Sequence, residues 1–411
     1  MLTKERLIDF LIYTSIFVSS IVFFTSPFEG YLHYVIFLLL LPFFISKYGL
    51  PKAPFQILAI PFIAGIFQVL MGNDTWFLFF KIFIGMILSI TFYYYVILHY
   101  DYDVEKMFSL YLKWAYWTAI IGIVQYLSYQ IHFSPGYDYG WILNKTTGVT
   151  GGRICSIYGE PSQLAIMISP AVFVAVVNLI RKQQYGYKNY QNYIILITFY
   201  IAKSSTGYIG AFFAIVIIGL NIGYISYLVM FIVIGVMGAF GAYNSIDEVK
   251  SRTDAAINLW VHQDFSIENV NTSSFVQYNN AYVAFENLKE HPLFGSGLGS
   301  HPVAYEKYTL TKTDRVSLKI FNNNTADANS IFLRLMSETG LIGILFMLAI
   351  VFKCFVGSSG VAGTNLWIIS GALLTLIFLY LLRQGNYFYN GFPFFVWLYY
   401  YTKVAHNKSL E

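Results

Sequence analysis

The sequence predicts an all-α polytopic membrane protein with about twelve membrane-spanning helices and one large helical loop outside the membrane. Three observations predict it. Of the 411 residues, 57% are hydrophobic and 11% charged, whereas a soluble domain carries about a quarter charged residues. Apolar runs of about eighteen residues recur from end to end, each long enough to cross a hydrocarbon core of roughly 30 Å. The basic residues gather between these runs, at one side of the implied array.

Taken in order, the spans are read at 7–25, 31–47, 54–72, 76–99, 107–131, 161–180, 193–203, 205–221, 224–243, 330–354, 365–383 and 388–402. The first follows Lys4 and Arg6, as a signal peptide would. Its apolar run is longer than a typical signal core, and no small-residue cleavage site comes before Pro27, so it is read as retained. The seventh and twelfth are short for a full crossing and must tilt, re-enter or lie buried among neighbours. Lys4, Arg6, Lys47, Lys52, Lys106, Arg181, Lys182, Lys188, Lys403 and Lys408 fall on one side. The positive-inside rule makes that side cytoplasmic, with both termini in it. The other side receives 132–160, the turn Lys203 to Gly207 and the long stretch Asn244 to Ala328. Cys155 and Cys354 then lie on opposite sides and cannot pair.

The chain thus divides into residues 1–243, with nine spans and the external loop 132–160; the large external loop 244–328; and residues 329–411, with three spans. The large loop lacks low complexity. Over 274–290, Phe275, Tyr278, Tyr282, Phe285 and Leu288 recur at spacings of three and four, which predicts a helix with an aromatic face packed on the membrane domain or interface.

Three polar constellations stand out. In Gly151 to Ser162, Pro161 and Ser162 suit a helix start. A helix N-terminus favours anions, and Arg153 adds a fixed charge suited to a diphosphate. Glu160 is placed to accept a proton from an attacking hydroxyl; an Arg153–Glu160 ion pair that merely caps the helix fits equally well. In His291 to His301, alternating glycines resemble a phosphate loop, but no strand precedes them and no Gly-Lys-Ser follows, so a tight turn is the simpler reading. His301 beyond it is a candidate base. The third runs from Asp327 through Ser330 to Arg334, Glu338 and Gly340. Arg334 and Glu338, four apart, share a helix face at membrane depth, where ionisable groups are costly and favour a functional reading over a structural pair.

Lys81 in the fourth span either binds an anionic headgroup or snorkels to the surface, and Lys203, Arg252 and Arg315 are further external cations for an anionic ligand, each taken singly more simply an ordinary solvated charge. Asp101-Tyr102-Asp103 mimics a metal–nucleotide-sugar motif but sits in a short turn, where Asp103 more simply caps the next helix. Walker, zinc and serine-hydrolase signatures are missing from the sequence.

The string His291 to Gly299, then Asn329 to Leu333, then Glu338 to Gly343, resembles the bacterial O-antigen ligase/polymerase superfamily. Arg153 to Ser162 and Ser204 to Gly207 resemble its polymerase (Wzy-type) branch. The ligase branch has a histidine before the asparagine that aligns with Asn329, where this chain has Ala328.

The resemblance implies a metal-independent, GT-C-like glycosyltransferase needing no cofactor, in the bacterial cytoplasmic membrane with its site facing outward. It would polymerise undecaprenyl-diphosphate-linked repeats of O-antigen or capsule, the lipid-linked glycans and membrane lipid being its partners. A chain-length regulator and a flippase are implied beside it, and no nucleic acid. Ligase and lipid-linked sugar transporter are the alternatives. On this reading Glu160 leads as base, with Asp327 and His301 behind it. Arg153, Lys81, Lys203, Arg334, Arg252 and Arg315 bind the anionic substrate.

Overall fold

A computed structural model describes residues 4–18, 21–24, 29–140, 148–149, 152–222, 229, 240–241, 243–245, 247–266, 272–312, 324–358 and 365–411. The described chain is helical apart from one small hairpin. Its helices are α1 Lys4–Phe17, α2 Leu32–Tyr48, α3 Lys52–Leu70, α4 Trp76–His99, α5 Val104–Gln130, α6 Ser134–Tyr137, α7 Pro161–Arg181, α8 Asn189–Ile201 and α9 Ser205–Ile222. They continue as α10 Asp247–Trp260, α11 Thr272–Glu290, α12 His301–Tyr308, α13 Ile331–Glu338, α14 Gly340–Lys353, α15 Leu366–Arg383 and α16 Phe392–Lys408.

Six described helices (α3, α4, α5, α7, α9 and α15) are long and apolar enough to cross a membrane; α2 and α14 are apolar but shorter. The protein is therefore an all-α polytopic membrane protein. Burial sorts the helices. In α7 and α15, 78% of the apolar window is buried, against 22% in α3, so α7 and α15 form the centre and α3 the rim. Helices apolar all round belong in such a centre. Small residues let the central helices approach: a Cβ on Gly210 of α9 would lie 2.6 Å from Leu379 of α15, and one on Gly207 would lie 2.9 Å from Ala165 of α7.

Successive helices bring their ends together at two levels. At one, Tyr100 Oη donates to Asp9 (2.5 Å) and Tyr95 Oη to the Gly49 carbonyl (2.7 Å). There Lys4, Lys47, Lys106 and Arg181 lie over Phe43, Tyr48, Tyr100 and Trp367 at 4.8 to 5.3 Å, a basic and aromatic rim of the kind found at membrane interfaces. The helix starts of α4, α7 and α9 and the ends of α3 and α15 meet at the opposite level, described below.

Several expectations need correcting. The first span, read to 25, is helical only to Phe17; Val22–Phe24 pairs antiparallel with Gly30–Tyr31, as its run of β-branched and aromatic residues favours. The twelfth begins at Phe392 and runs to Lys408 after a 3-10 turn at Tyr389–Gly391. The tenth is two helices, broken at Thr339. Most of the ninth lies outside the described residues. The expected aromatic face of α11 is offset: Phe275, Val276, Asn279, Asn280, Val283, Ala284 and Asn287 point inward, while Phe285 is exposed. The asparagines turn inward because they bind loop groups: Asn279 accepts from the Leu310 amide (2.9 Å), and Asn287 donates to Ser296 and to the Ser337 carbonyl (2.7 and 2.8 Å). As expected, Asp103 caps α5 by accepting from the Lys106 amide (2.9 Å), α7 starts at Pro161, and both cysteines are free.

The break in the tenth span is held by the glycine loop that follows α11. Ser296 and Gly297 amides donate to the Ser337 and Glu338 carbonyls at the end of α13 (3.1 and 3.0 Å). The Pro292 and Leu293 carbonyls accept from the Leu341 and Ile342 amides at the start of α14 (2.9 and 3.1 Å). Backbone groups that a helix break would orphan are thereby satisfied from one loop. Contact is backbone to backbone: a Cβ on Gly340 (φ +61°) would lie 2.6 Å from the Gly295 nitrogen, and one on Gly295 (φ +61°) would overlap Glu338 and Thr339. Gly72 (φ +80°) has nothing near it. Gly72→Ala is therefore expected to cost only the left-handed backbone term, roughly 1–2 kcal/mol. Gly295→Ala adds displaced backbone, for about 3 kcal/mol or more. Thermal unfolding of the two purified variants checks the order; equal midpoints would remove the clamp.

Candidate functional site

The break ends α13 where its polar face meets the level of the glycine loop. Arg334 and Glu338, one helical turn apart, are almost wholly buried there. Arg334 Nε donates to Glu338 Oε1 (2.8 Å), Nη1 to the Gly385 carbonyl (3.0 Å), and the guanidinium lies 4.4 Å over the Tyr387 ring. Tyr387 Oη donates to Glu338 Oε2 (3.0 Å), closing a ring of polar contacts. Nη2 of Arg334 is buried without a partner among the described residues. Removing one member of a buried ion pair costs about 3–5 kcal/mol, because the other charge is left bare. This unit therefore fixes how the 384–388 segment sits on α13. Gly385 also abuts the Asp327 carbonyl, leaving no room for a side chain.

Around this unit lies the mouth of the helix array. Glu160, the residue before α7, is exposed, and its Oε2 accepts from Ser162 Oγ (3.0 Å). Gln163 accepts from the Gly159 amide (3.2 Å), and Tyr389 Oη reaches the same Oε1 (3.5 Å). Arg383, the last residue of α15, donates to Gln277 of α11 (3.1 Å) and lies within electrostatic reach of Glu160. The 152–160 segment is pinned to α5: Gln125 Oε1 accepts from the Cys155 and Ser156 amides (3.1 and 2.8 Å), and Ser156 Oγ donates to the Thr118 carbonyl (2.8 Å). A carboxylate, a helix N-terminus and guanidinium groups thus share one end of the array, which can orient an anionic group and receive a proton.

Arg153 and Glu160 form no ion pair with each other; Arg153 Nε is buried without a partner among the described residues. Asp327 is half-buried beside Gly385, accepts from the Asn329 amide (3.0 Å), and its charge reaches Arg334. His301 is wholly buried. Asn280 Nδ2 donates to the Val276 carbonyl (2.8 Å), which turns Oδ1 to the ring, so His301 Nε2 is the protonated nitrogen at 3.0 Å. Burial, with the Arg334 charge behind it, pushes this imidazole down to about 3, so it is neutral near pH 7. Lys203 is exposed in the turn before α9, at the same end as Glu160. Lys81 is exposed on α4, on the helix face that also carries exposed Phe77 and Ile84. Arg252 lies on α10, and Arg315 falls outside the described residues.

Arg383, Gln163, Gln277, Tyr387 and Tyr389 were not singled out by the sequence; a cation at the external end of an apolar run was the available signal for Arg383. Asp74 was missed as well. It is buried at the start of α4, accepts from the Thr75 amide (2.7 Å), and leaves Oδ2 without a partner. Among the described residues no three His, Cys, Asp or Glu side chains gather as metal ligands would.

Burial, with Glu338 adding repulsion, pushes Asp74 up from 3.8 to about 7. The folded protein then binds more protons than the unfolded chain between these values, so stability falls as pH rises from about 4 to 7 and levels above it. Asp74→Asn keeps the acceptor for Thr75 and is expected to flatten that fall, measured as unfolding midpoint against pH. An unchanged slope would place the titrating group elsewhere.

Residues 193–348 match the family model described as O-antigen ligase (Wzy_C). No curated protein sequence matches the chain. The matched stretch runs from within α8 through most of α14 and contains the glycine loop, Arg334 and Glu338. Through this segment the chain is similar to the O-antigen ligase/polymerase superfamily.

Proposed function

We propose that the chain is a polymerase of undecaprenyl-diphosphate-linked oligosaccharide repeats, for O-antigen or capsular polysaccharide. It transfers the growing glycan to the terminal sugar hydroxyl of a new lipid-linked repeat. On this reading it is a metal-independent GT-C-type glycosyltransferase. The polar mouth faces the exterior of the bacterial cytoplasmic membrane, and the basic rim with both termini faces the cytoplasm. The described α11 of the large external loop then lies on the same side as the site, joined to α15 through Gln277 and Arg383, and a chain-length regulator and a flippase act beside it.

The observation that carries polymerase over ligase is Ala328. It is wholly buried next to Asp327, so this position offers no imidazole where the ligase branch has one. The chemistry follows from the mouth. The acceptor hydroxyl attacks the anomeric carbon, the carbon–oxygen bond to the diphosphate breaks, and Glu160 takes the hydroxyl proton. Negative charge grows on the leaving diphosphate, where Arg153 and the N-terminus of α7 offset it. Asp327 sits beside the Arg334 unit as a second carboxylate and positions the 384–388 turn through Gly385.

Purified protein with a lipid-linked repeat unit is expected to yield a ladder of polymer on a gel. Arg153→Ala abolishes the ladder in a folded protein. Glu160→Gln slows it about 10²- to 10⁴-fold, the usual worth of a positioned base. Substrate left intact or merely moved across a vesicle membrane would overturn the polymerase. Transfer in one step to a different acceptor would make the chain a ligase.

A further inference from the structure

We propose that Gln163 holds the acceptor sugar: its Nε2 donates a hydrogen bond to the oxygen of the hydroxyl whose proton Glu160 receives. The proposal rests on the reading that the chain transfers glycan to a sugar hydroxyl at this mouth. It adds a substrate-binding side chain outside the 193–348 stretch that matches the family.

Glu160 is the N-cap of α7 and Gln163 its third residue. Side chains at these two positions ordinarily satisfy amides at a helix start. Here neither caps the helix. Glu160 makes no capping bond; its Oε2 accepts from Ser162 Oγ (3.0 Å), and Oε1 has no hydrogen-bond partner among the described residues. Gln163 turns back past the N-cap, where its Oε1 accepts from the Gly159 amide (3.2 Å) with Tyr389 Oη beside it (3.5 Å). Tyr389 is itself placed by α15, whose Tyr380 Oη donates to the Tyr389 carbonyl (3.1 Å).

These partners fix the side-chain amide. The reverse orientation would set its NH2 against the Gly159 N–H, donor against donor, so Oε1 faces the Gly159 amide and Nε2 the other way. Nε2 has no hydrogen-bond partner among the described residues, and on this half-buried side chain it stays within reach of solvent. The pair is complementary to one chemical group. Ionised Glu160 only accepts, and the Gln163 NH2 only donates. A hydroxyl gives its proton to the first and a lone pair to the second. A phosphate or carboxylate would satisfy the amide but meet the Glu160 charge; an ammonium would satisfy Glu160 but face the amide donors. The hydroxyl oxygen keeps its second lone pair for the anomeric carbon, its proton passes to Glu160, and the amide keeps both of its own.

The test uses the full chain in nanodiscs and measures binding of the lipid-linked repeat and of analogues in which each hydroxyl of its terminal sugar is removed in turn. Wild type is expected to bind one deoxy analogue about a hundredfold more weakly than the intact repeat, about tenfold for each of the two hydrogen bonds that hydroxyl makes. Gln163→Glu keeps the acceptor for Gly159 and removes the donor; Gln163→Ala removes both. Each is expected to narrow the gap to about tenfold, because the side chain and the hydroxyl are one interacting pair. Unfolding midpoints identify the folded variants. Equal binding of every analogue by wild type, or an unchanged gap in either folded variant, would overturn the proposal. A gap that narrows in a chain making no polymer would leave the hydroxyl site standing and remove the polymerase. A polymer ladder from wild type with an unchanged gap in the variants would keep the polymerase and remove Gln163.

Discussion

The site depends on one backbone arrangement: the glycine loop at 292–297 docked into the break between α13 and α14. Four hydrogen bonds from this loop replace those the helix would have made across Thr339. The break comes directly after Glu338, so the Arg334–Glu338 pair sits at a helix end rather than in mid-span. With it, α13 becomes a short amphipathic piece whose polar face carries Arg334 and Glu338 toward Tyr387 and Gly385. Asn287 of α11 and Gln68 of α3 hold the loop from two further sides, donating to Ser296 Oγ and the Gly295 carbonyl (2.7 and 2.9 Å). One loop thus joins the external helices to the membrane helices.

That arrangement also separates charge by level. The rim at the ends of α2, α4 and α7 collects lysines and arginines over aromatic rings, where they meet solvent or lipid head groups. The opposite level pairs its buried charges or leaves polar atoms unfilled: Arg153 Nε, Asp74 Oδ2, His301 Nδ1 and Arg334 Nη2 are all buried without partners among the described residues. Such atoms are few in a settled interior. Others, among them His99 Nδ1, Gln183 Nε2 and His406 Nδ1, lie toward the opposite level, so the four at the mouth are places where water or substrate finds an open bonding partner rather than a mark of that region alone.

Much of the fold was legible because hydropathy and caps are local signals. The apolar runs gave α3, α4, α5, α7, α9 and α15, and Asp103 and Pro161 marked two helix starts. The break at Thr339 was hidden, since its cause is a loop some forty residues upstream, and periodicity alone reads 330–354 as one helix. The α11 face was misread because aromatic spacing outweighed asparagine spacing, and only the tertiary partners Ser296, Ser337 and Leu310 show why the asparagines turn inward. Glu160 and Arg153 were visible as residues of the right chemistry at a helix start. That Arg383 comes within electrostatic reach of Glu160, and Tyr389 within reach of Gln163, depends on how helices pack, which no single segment records.

The central claim is that one polar mouth, built on the broken helix, receives the diphosphate of a lipid-linked substrate beside Glu160. The most direct measurement is a cryo-electron microscopy structure of the full chain in nanodiscs with a non-transferable phosphonate analogue of a lipid-linked repeat. The account predicts phosphorus density within hydrogen-bond reach of Arg153 or Arg383, with the first sugar against Glu160. Density for the diphosphate at the basic rim near Lys106, or on the exposed face of α4 near Lys81, would contradict it.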